Sequence, residues 1–122
     1  MASIELQEAE FENSVTQSGV ALVDFWAEWC GPCRAFGPIF EKSSEKHPEA
    51  RFYKVDTEAE QALAGKAGIT SIPTLMVFRD GILLYNRPGA LPEPALEDLI
   101  SQVQSLDMDA VRAEIARGDS AQ

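Results

Sequence analysis

The only two cysteines of this 122-residue chain stand three positions apart in "WCGPCR", Trp29 to Arg34. Two sulfurs at that spacing can staple a fold, ligate a metal, sit inertly in a core, or open and close a bond. A structural zinc takes four ligands, and besides Cys30 and Cys33 the chain offers one histidine, His47, next to a helix-ending Pro48. His47 therefore reads as an exposed helix-end residue, with nothing to bring it near Cys30 for Cys–His hydrolysis. No metal site is expected. A staple also fits poorly, because disulfide frameworks belong to small secreted domains with many cysteines.

A reversible bond fits best. Cys30 follows an apolar run, and Cys33 lies one turn into the next helical segment. Residues three apart on a helix have Cβ atoms about 5–6 Å apart, and a disulfide needs about 3.5–4.5 Å. A small local adjustment closes the bond. The loop it closes is tiny, so it constrains the unfolded chain little. The unpaired N–H groups and dipole of a helix N-terminus favour an anion, so Cys30 is expected to be the more acidic thiol. Cys33 is expected to be the shielded one. The chemistry that follows is attack by Cys30 on a substrate disulfide, then release when Cys33 attacks Cys30.

The rest of the chain sets the context. Its length suits one compact domain with a sizeable core, and 45% hydrophobic with 25% charged residues is ordinary for a globular protein. The formal net charge of −10, without a Lys/Arg run, disfavours nucleic acid and anionic membranes as partners. "MASIELQEAEF" is acidic where a signal peptide is basic, and no segment reaches the roughly 18 apolar residues of a membrane span. The expected location is cytoplasmic, where a permanent disulfide is disfavoured.

Elements that would position the cysteines are legible. "SIELQ" suits a short edge strand, and "EAEFENSVTQSG" an amphipathic helix ending at Gly19. "VALVDFWA" (20–27) suits a strand covered on both faces. A helix is expected from Pro32 to about Lys46, with Pro32 in its first turn and His47–Pro48 as its stop. A strand over 51–56 and a helix over 58–68 follow. "PTLMVFRDGILLYNRPG" (73–89) reads as a hairpin turning at Asp80–Gly81. Residues 92–106 form a helix with Leu96, Leu99, Ile100 and Val103 on one stripe. The order β-α-β-α-β-α-β-β-α implies a mixed sheet with helices on both faces. The segment 107–122 could add a short helix with Met108, Val111 and Ile115 on one face, packed on the body or frayed.

"VDFWAEWCGPCR", "SIPT" (71–74), the Asp80–Gly81 turn and "RPGA" (87–90) together resemble the thioredoxin family over about residues 3–105. The resemblance implies a thioredoxin-like three-layer α/β/α fold, with a mixed central sheet of four to five strands, over 1–106, followed by a C-terminal extension. It makes Cys30 the nucleophile and Cys33 the resolving cysteine of a Cys30–Cys33 disulfide. It matches Asp24 to a buried aspartate that helps move the Cys33 proton. Composition agrees, since Asp24 is the lone carboxylate in an apolar strand, where desolvation should raise its pKa. Lys54 matches a lysine near that aspartate, and Pro73 a cis-proline opposite the active site. With Pro73 so placed, the Ile72 backbone could pair with an extended substrate segment. Trp29, Gly31, Pro32, Ile72, Pro73 and Gly89 would form an apolar recognition rim. Trp26 reads as core, and Arg34 either favours the thiolate or is an ordinary exposed arginine.

Relatives that act as oxidants or isomerases often carry a histidine at the position of Pro32, where a positive charge would stabilise the thiolate. About 30 mV corresponds to 1.4 kcal/mol, so "CGPC" resembles a reductant. The resemblance thus implies a protein-disulfide reductase acting as a monomer on disulfide-containing client proteins. It would bind no cofactor itself and would take electrons from NADPH through a flavoprotein thioredoxin reductase. The chain departs from the family pattern at Ser71, where a glycine is common, in a connection after the 32–47 helix that is one residue shorter, and in the tail. The rival readings are a scaffold or holdase that uses the tail, and a dedicated donor to one enzyme.

Overall fold

In a computed structural model that describes residues 3–121, the apolar run Val20–Trp26 forms the central strand β2. Its residues are apolar except for Asp24, so it needs cover on both faces, and helices on the two sides of the sheet supply it. The other strands are β1 (Ile4–Glu5), β3 (Arg51–Asp56), β4 (Thr74–Arg79) and β5 (Ile82–Pro88). Their spatial order is β1-β3-β2-β4-β5. β1, β3 and β2 are parallel, whereas β4 and β5 run antiparallel to their neighbours. The hairpin turns at Asp80 (φ 55°) and Gly81 (φ 81°), two left-handed residues that match the strand twist. A side chain at Gly81 would also press on the Thr16 carbonyl, 3.1 Å from its Cβ position.

Alternation along the strands sends residues to two cores. Leu22, Phe52, Leu75 and Val77 pack under α2 (Gly31–Lys46) and α4 (Glu93–Ser105), with Phe36, Phe40, Leu96 and Ile100. Val23, Phe25, Val55 and Met76 pack under α1 (Glu8–Val15) and α3 (Gln61–Lys66), with Val15 and Leu63. This is the expected layered α/β/α arrangement.

Three helices differ from expectation. α1 stops at Val15 rather than Gly19: the Thr16 hydroxyl turns back onto the Glu12 carbonyl at 2.7 Å. The Arg51 guanidinium then collects the carbonyls of Ser14, Gln17 and Ser18, giving that stretch of chain partners outside a helix. α3 is six residues long because Asp56 Oδ1 accepts from the N–H groups of Glu58 and Ala59 and holds them in a turn. α5 (Met108–Ala121) is longer than a short helix, and Asp107 caps its N-terminus through the N–H groups of Asp109 and Ala110. Of its apolar face only Met108 is buried; Val111 is partly covered and Ile115 is exposed. Arg79 links this end together by donating to the carbonyls of Val103, Gln104 and Leu106.

His47 is a C-cap residue, but it is not a bare surface group. Its ring lies between two carboxylates, Nε2 to Glu97 at 2.7 Å and Nδ1 to Glu49 at 3.1 Å. With Ser43 to Glu97 and Lys46 to Glu93, it clasps the end of α2 onto α4. Partial burial opposes the imidazolium, but the hydrogen bonds to Glu97 and Glu49 outweigh it, so the pKa is raised. The folded state therefore holds this proton more tightly than the unfolded chain. The contribution is complete below about pH 6.5 and is lost as pH rises through the folded value. His47→Gln is expected to lower the melting temperature by a few degrees at pH 6 and by clearly less at pH 9. Equal losses at both pH values in a thermal melt would contradict this.

Candidate active site

β2 delivers the chain to Trp26, and residues 27–30 turn it into α2. Cys30 is the N-cap, in extended conformation, and its Sγ accepts the Cys33 N–H at 3.2 Å. The helix N-terminus thus points a backbone donor at this sulfur, and the dipole adds to its preference for negative charge. Gly31 and Pro32 open the helix, where a missing N–H costs nothing. Cys30 and Cys33 are disulfide-bonded, with a Cα–Cα distance of 5.2 Å.

Residue exposure does not separate the two cysteines, at 3% for Cys30 and 4% for Cys33. What separates them is the space each borders. Cys30 borders an open groove of about 460 Å³ shared with Trp29, Pro32, Ala64, Ile69 and Ile72. Cys33 borders a different cavity of about 510 Å³, between α2 and the sheet, shared with Trp26, Lys54, Gly37 and Glu41. Gly37 and Pro38 lie inside α2 and line that cavity; nothing lies within 4 Å of a Cβ built on Gly37. The sequence reading does not anticipate Thr57, Ala64, Ile69 or Thr70 along the first groove. They come from two loops and a short helix with no motif of their own.

Of the rim residues, Trp29, Gly31, Pro32 and Ile72 border the groove at Cys30, and Pro73 and Gly89 adjoin it through the backbone. Trp29 is 65% exposed. The Ile72–Pro73 peptide is cis, and the Ile72 carbonyl oxygen lies 3.7 Å from Cys30 Sγ. Gly89, at φ 107°, donates its N–H to the Pro73 carbonyl at 2.8 Å, which fixes the end of β5 beside the proline. Ser71 stands outside this contact, its carbonyl taken by the Thr74 hydroxyl. Arg34 is exposed and donates to the Glu28 carbonyl at 3.1 Å, so it braces the 27–30 turn. His47, at the far end of the 16-residue α2, is about 24 Å from the cysteines by helical rise.

Asp24 is fully buried on the face under α2, and neither carboxylate oxygen has a hydrogen-bond partner among the described residues. Burial raises its pKa to about 7, against the opposing pull of Lys54 and with a small push from Glu5. Lys54 stands opposite Asp24 in the parallel β2–β3 register. Its ammonium lies over the Trp26 ring, 4.7 Å from the centroid. Trp26 is half-buried and packs against the Ala27, Cys30 and Cys33 cluster, so it forms the floor of the site rather than part of the main core.

A helix-capping disulfide, a cis-prolyl loop against the Cys30 sulfur and a buried carboxyl group beneath α2 define a dithiol–disulfide exchange protein. Sequence and structure comparisons narrow the class. The Thioredoxin family model matches residues 2–102. "Putative thioredoxin 2" of Streptomyces coelicolor is 51% identical over 115 residues, 94% of this chain and 86% of that protein. Thioredoxin of Bacillus subtilis is 38% identical over 103 residues, 84% of this chain and 98% of that one. A mutant thioredoxin from Halobacterium salinarum superposes with a TM-score of 0.78 at 35% identity, covering 86% of this chain and 93% of that one. Thioredoxin of Malassezia sympodialis gives 0.74 at 32% identity, covering 84% and 93%. The chain belongs to the thioredoxin family and is a thiol–disulfide oxidoreductase of protein disulfides.

Asp24 weakens the fold it sits in. The folded protein holds its proton more tightly than the unfolded chain, so stability falls as pH climbs from about 4 to about 7. Asp24→Asn removes that titration. Denaturant melts are expected to show the variant gaining on the parent by an amount of the order of 4 kcal/mol between pH 4 and pH 8. Parallel stability curves for the two proteins would show that Asp24 is ionised normally.

Proposed function

We propose that this protein is a general reductant of protein disulfides, with Cys30 as nucleophile, Cys33 as resolving cysteine and Asp24 as the proton acceptor for Cys33. The observation that carries the reading is the Cys33 N–H held on Cys30 Sγ at the mouth of α2. It favours the thiolate at the one sulfur that opens on the substrate groove.

In the reduced protein the Cys30 thiolate attacks one sulfur of a client disulfide. A Cys30–client bond forms, and the other client sulfur leaves as a thiolate that takes a proton from water. The Cys33 thiol passes its proton to the Asp24 carboxylate and attacks Cys30 Sγ. The Cys30–Cys33 bond closes, and the second client sulfur departs and is protonated from Asp24. Two electrons have moved from the dithiol to the client. Asp24 is suited to this exchange because a group with a pKa of about 7 can both accept and return a proton near neutrality.

The client would lie as an extended segment along the Ile72 backbone, which pairs with no strand among the described residues. Trp29, Gly31, Pro32, Pro73 and Gly89 would cover its apolar side chains. Lys54 would tune Asp24. The return electrons would come from NADPH through a flavoprotein thioredoxin reductase, consistent with a reducing, cytoplasmic setting and with no cofactor bound by this chain. Family membership implies client proteins and a reductase of some kind; the flavoprotein and NADPH are the proposed form of it.

Cys30→Ser is expected to abolish insulin disulfide reduction, and Cys33→Ser to accumulate client mixed disulfides that dithiothreitol releases. Full activity in both variants refutes the assigned roles. Turnover by a thioredoxin reductase with NADPH, together with a reduction potential well below that of the oxidising relatives, is the accompanying expectation; a potential as high as theirs refutes the reductant assignment.

A further inference from the structure

The strand register sets three ionisable side chains abreast. β1 pairs with β3 so that Glu5 stands beside Lys54, and β3 pairs with β2 so that Lys54 stands beside Asp24. Paired positions on neighbouring strands share a face, and the strands are about 4.8 Å apart. The result is a row of anion, cation and anion running from the water-exposed edge of the sheet to its buried centre. Glu5 is exposed at one end, and Asp24 is sealed at the other. Lys54, between them, keeps its ammonium over the face of Trp26. It does not hydrogen-bond Asp24, whose oxygens are unpartnered among the described residues.

The edge strand is only two residues long, but it is pinned in place. Leu6 donates its N–H to the Lys54 carbonyl at 2.8 Å, and Ser3 bonds the Glu41 carboxylate of α2 through both its N–H and its hydroxyl. Glu41 and Lys54 both line the cavity behind Cys33. The chain at the edge strand is therefore tied to both walls of the hollow that Cys33 borders.

We propose that Glu5 is a positioning residue for the redox cycle, acting through Lys54: it shares the Lys54 ammonium with Asp24 and so sets how readily Asp24 takes and returns the Cys33 proton. One cation serves two anions. Lys54 favours ionised Asp24, and Glu5 disfavours it. Glu5 is itself held up by partial burial, with Lys54 drawing it down and Asp56 and Glu60 pushing it up. The other charges around the row are Arg34 and Glu41 on α2 and Arg87 on β5, which continues the row beyond Leu75. The inference rests on Asp24 being the proton acceptor of the proposed cycle.

The test follows the Asp24 carboxyl carbon by NMR titration of the full chain, beside the pH profile of insulin reduction. Glu5→Gln, at an exposed position, is expected to move the Asp24 midpoint down by about half a pH unit, a threefold change in its ionisation constant, and to move the turnover profile with it. Lys54→Met is expected to move the midpoint up. In the Lys54→Met background the Glu5→Gln shift should shrink to less than half, and Glu5→Asp should retain the parental midpoint. An unmoved midpoint in Glu5→Gln, or an undiminished shift without Lys54, overturns the proposal. A midpoint that moves while the turnover profile stays fixed overturns it through the role of Asp24, with the charge row itself intact.

Discussion

The structure depends on one constraint: the first turn of α2 must meet the end of the buried strand β2 with its N–H groups still unpaired. Those donors need an acceptor, and the chain supplies the Cys30 sulfur at 3.2 Å from the Cys33 nitrogen. A helix start is usually capped by an oxygen side chain that stays put. Here the cap is an atom that can leave and rejoin a covalent bond. The capping requirement and the redox chemistry are therefore met by the same sulfur. Everything else positions that sulfur: the Phe36 and Phe40 packing that fixes α2 on the sheet, and the Gly89 to Pro73 bond that holds the facing loop.

Burial of Asp24 is the second consequence of placing α2 there. A carboxyl group in the layer between helix and sheet, with no hydrogen-bond partner, opposes folding whenever it ionises. The same desolvation brings it to about 7, where a proton can be exchanged. Under the proposed proton-acceptor role, stability and function pull on this one side chain in opposite directions. The fold tolerates this because the rest of the central strand, Val20 to Phe25, is buried against two apolar layers.

The two ends of the sheet have divided their tasks. The carboxyl end of β2 carries the cysteines, the cis-prolyl loop and the groove along α3. The opposite end carries the Asp80–Gly81 turn, the Arg79 bonds to the end of α4, and α5, tied by Arg112 to Asp80 and by buried Met108. The His47 clasp lies at that far end of α2 as well. Changes in the tail can therefore occur without reaching the sulfurs. The Streptomyces match, at 115 residues, runs into this segment, whereas the family model stops at residue 102.

The sequence by itself determined the elements whose signals are local. The nearly unbroken apolar run 20–26, the Asp80–Gly81 turn and the Cys30–Cys33 spacing each follow from a few adjacent residues, and each appears where its pattern puts it. Asp24 was legible for the same reason, as one carboxylate in an apolar strand. What the sequence misjudged were ends set by distant partners: Arg51 drawing the chain out of α1 after Val15, and Glu97 reaching His47 from fifty residues away. Only tertiary structure decided that Cys33 borders the open hollow between α2 and the sheet and is no less exposed than Cys30, and that Ala64 and Ile69 border the groove. It alone decided, too, that Glu5 shares a row with Lys54 and Asp24, because strand register is fixed by pairing across the sheet and leaves no mark on neighbouring residues in the chain.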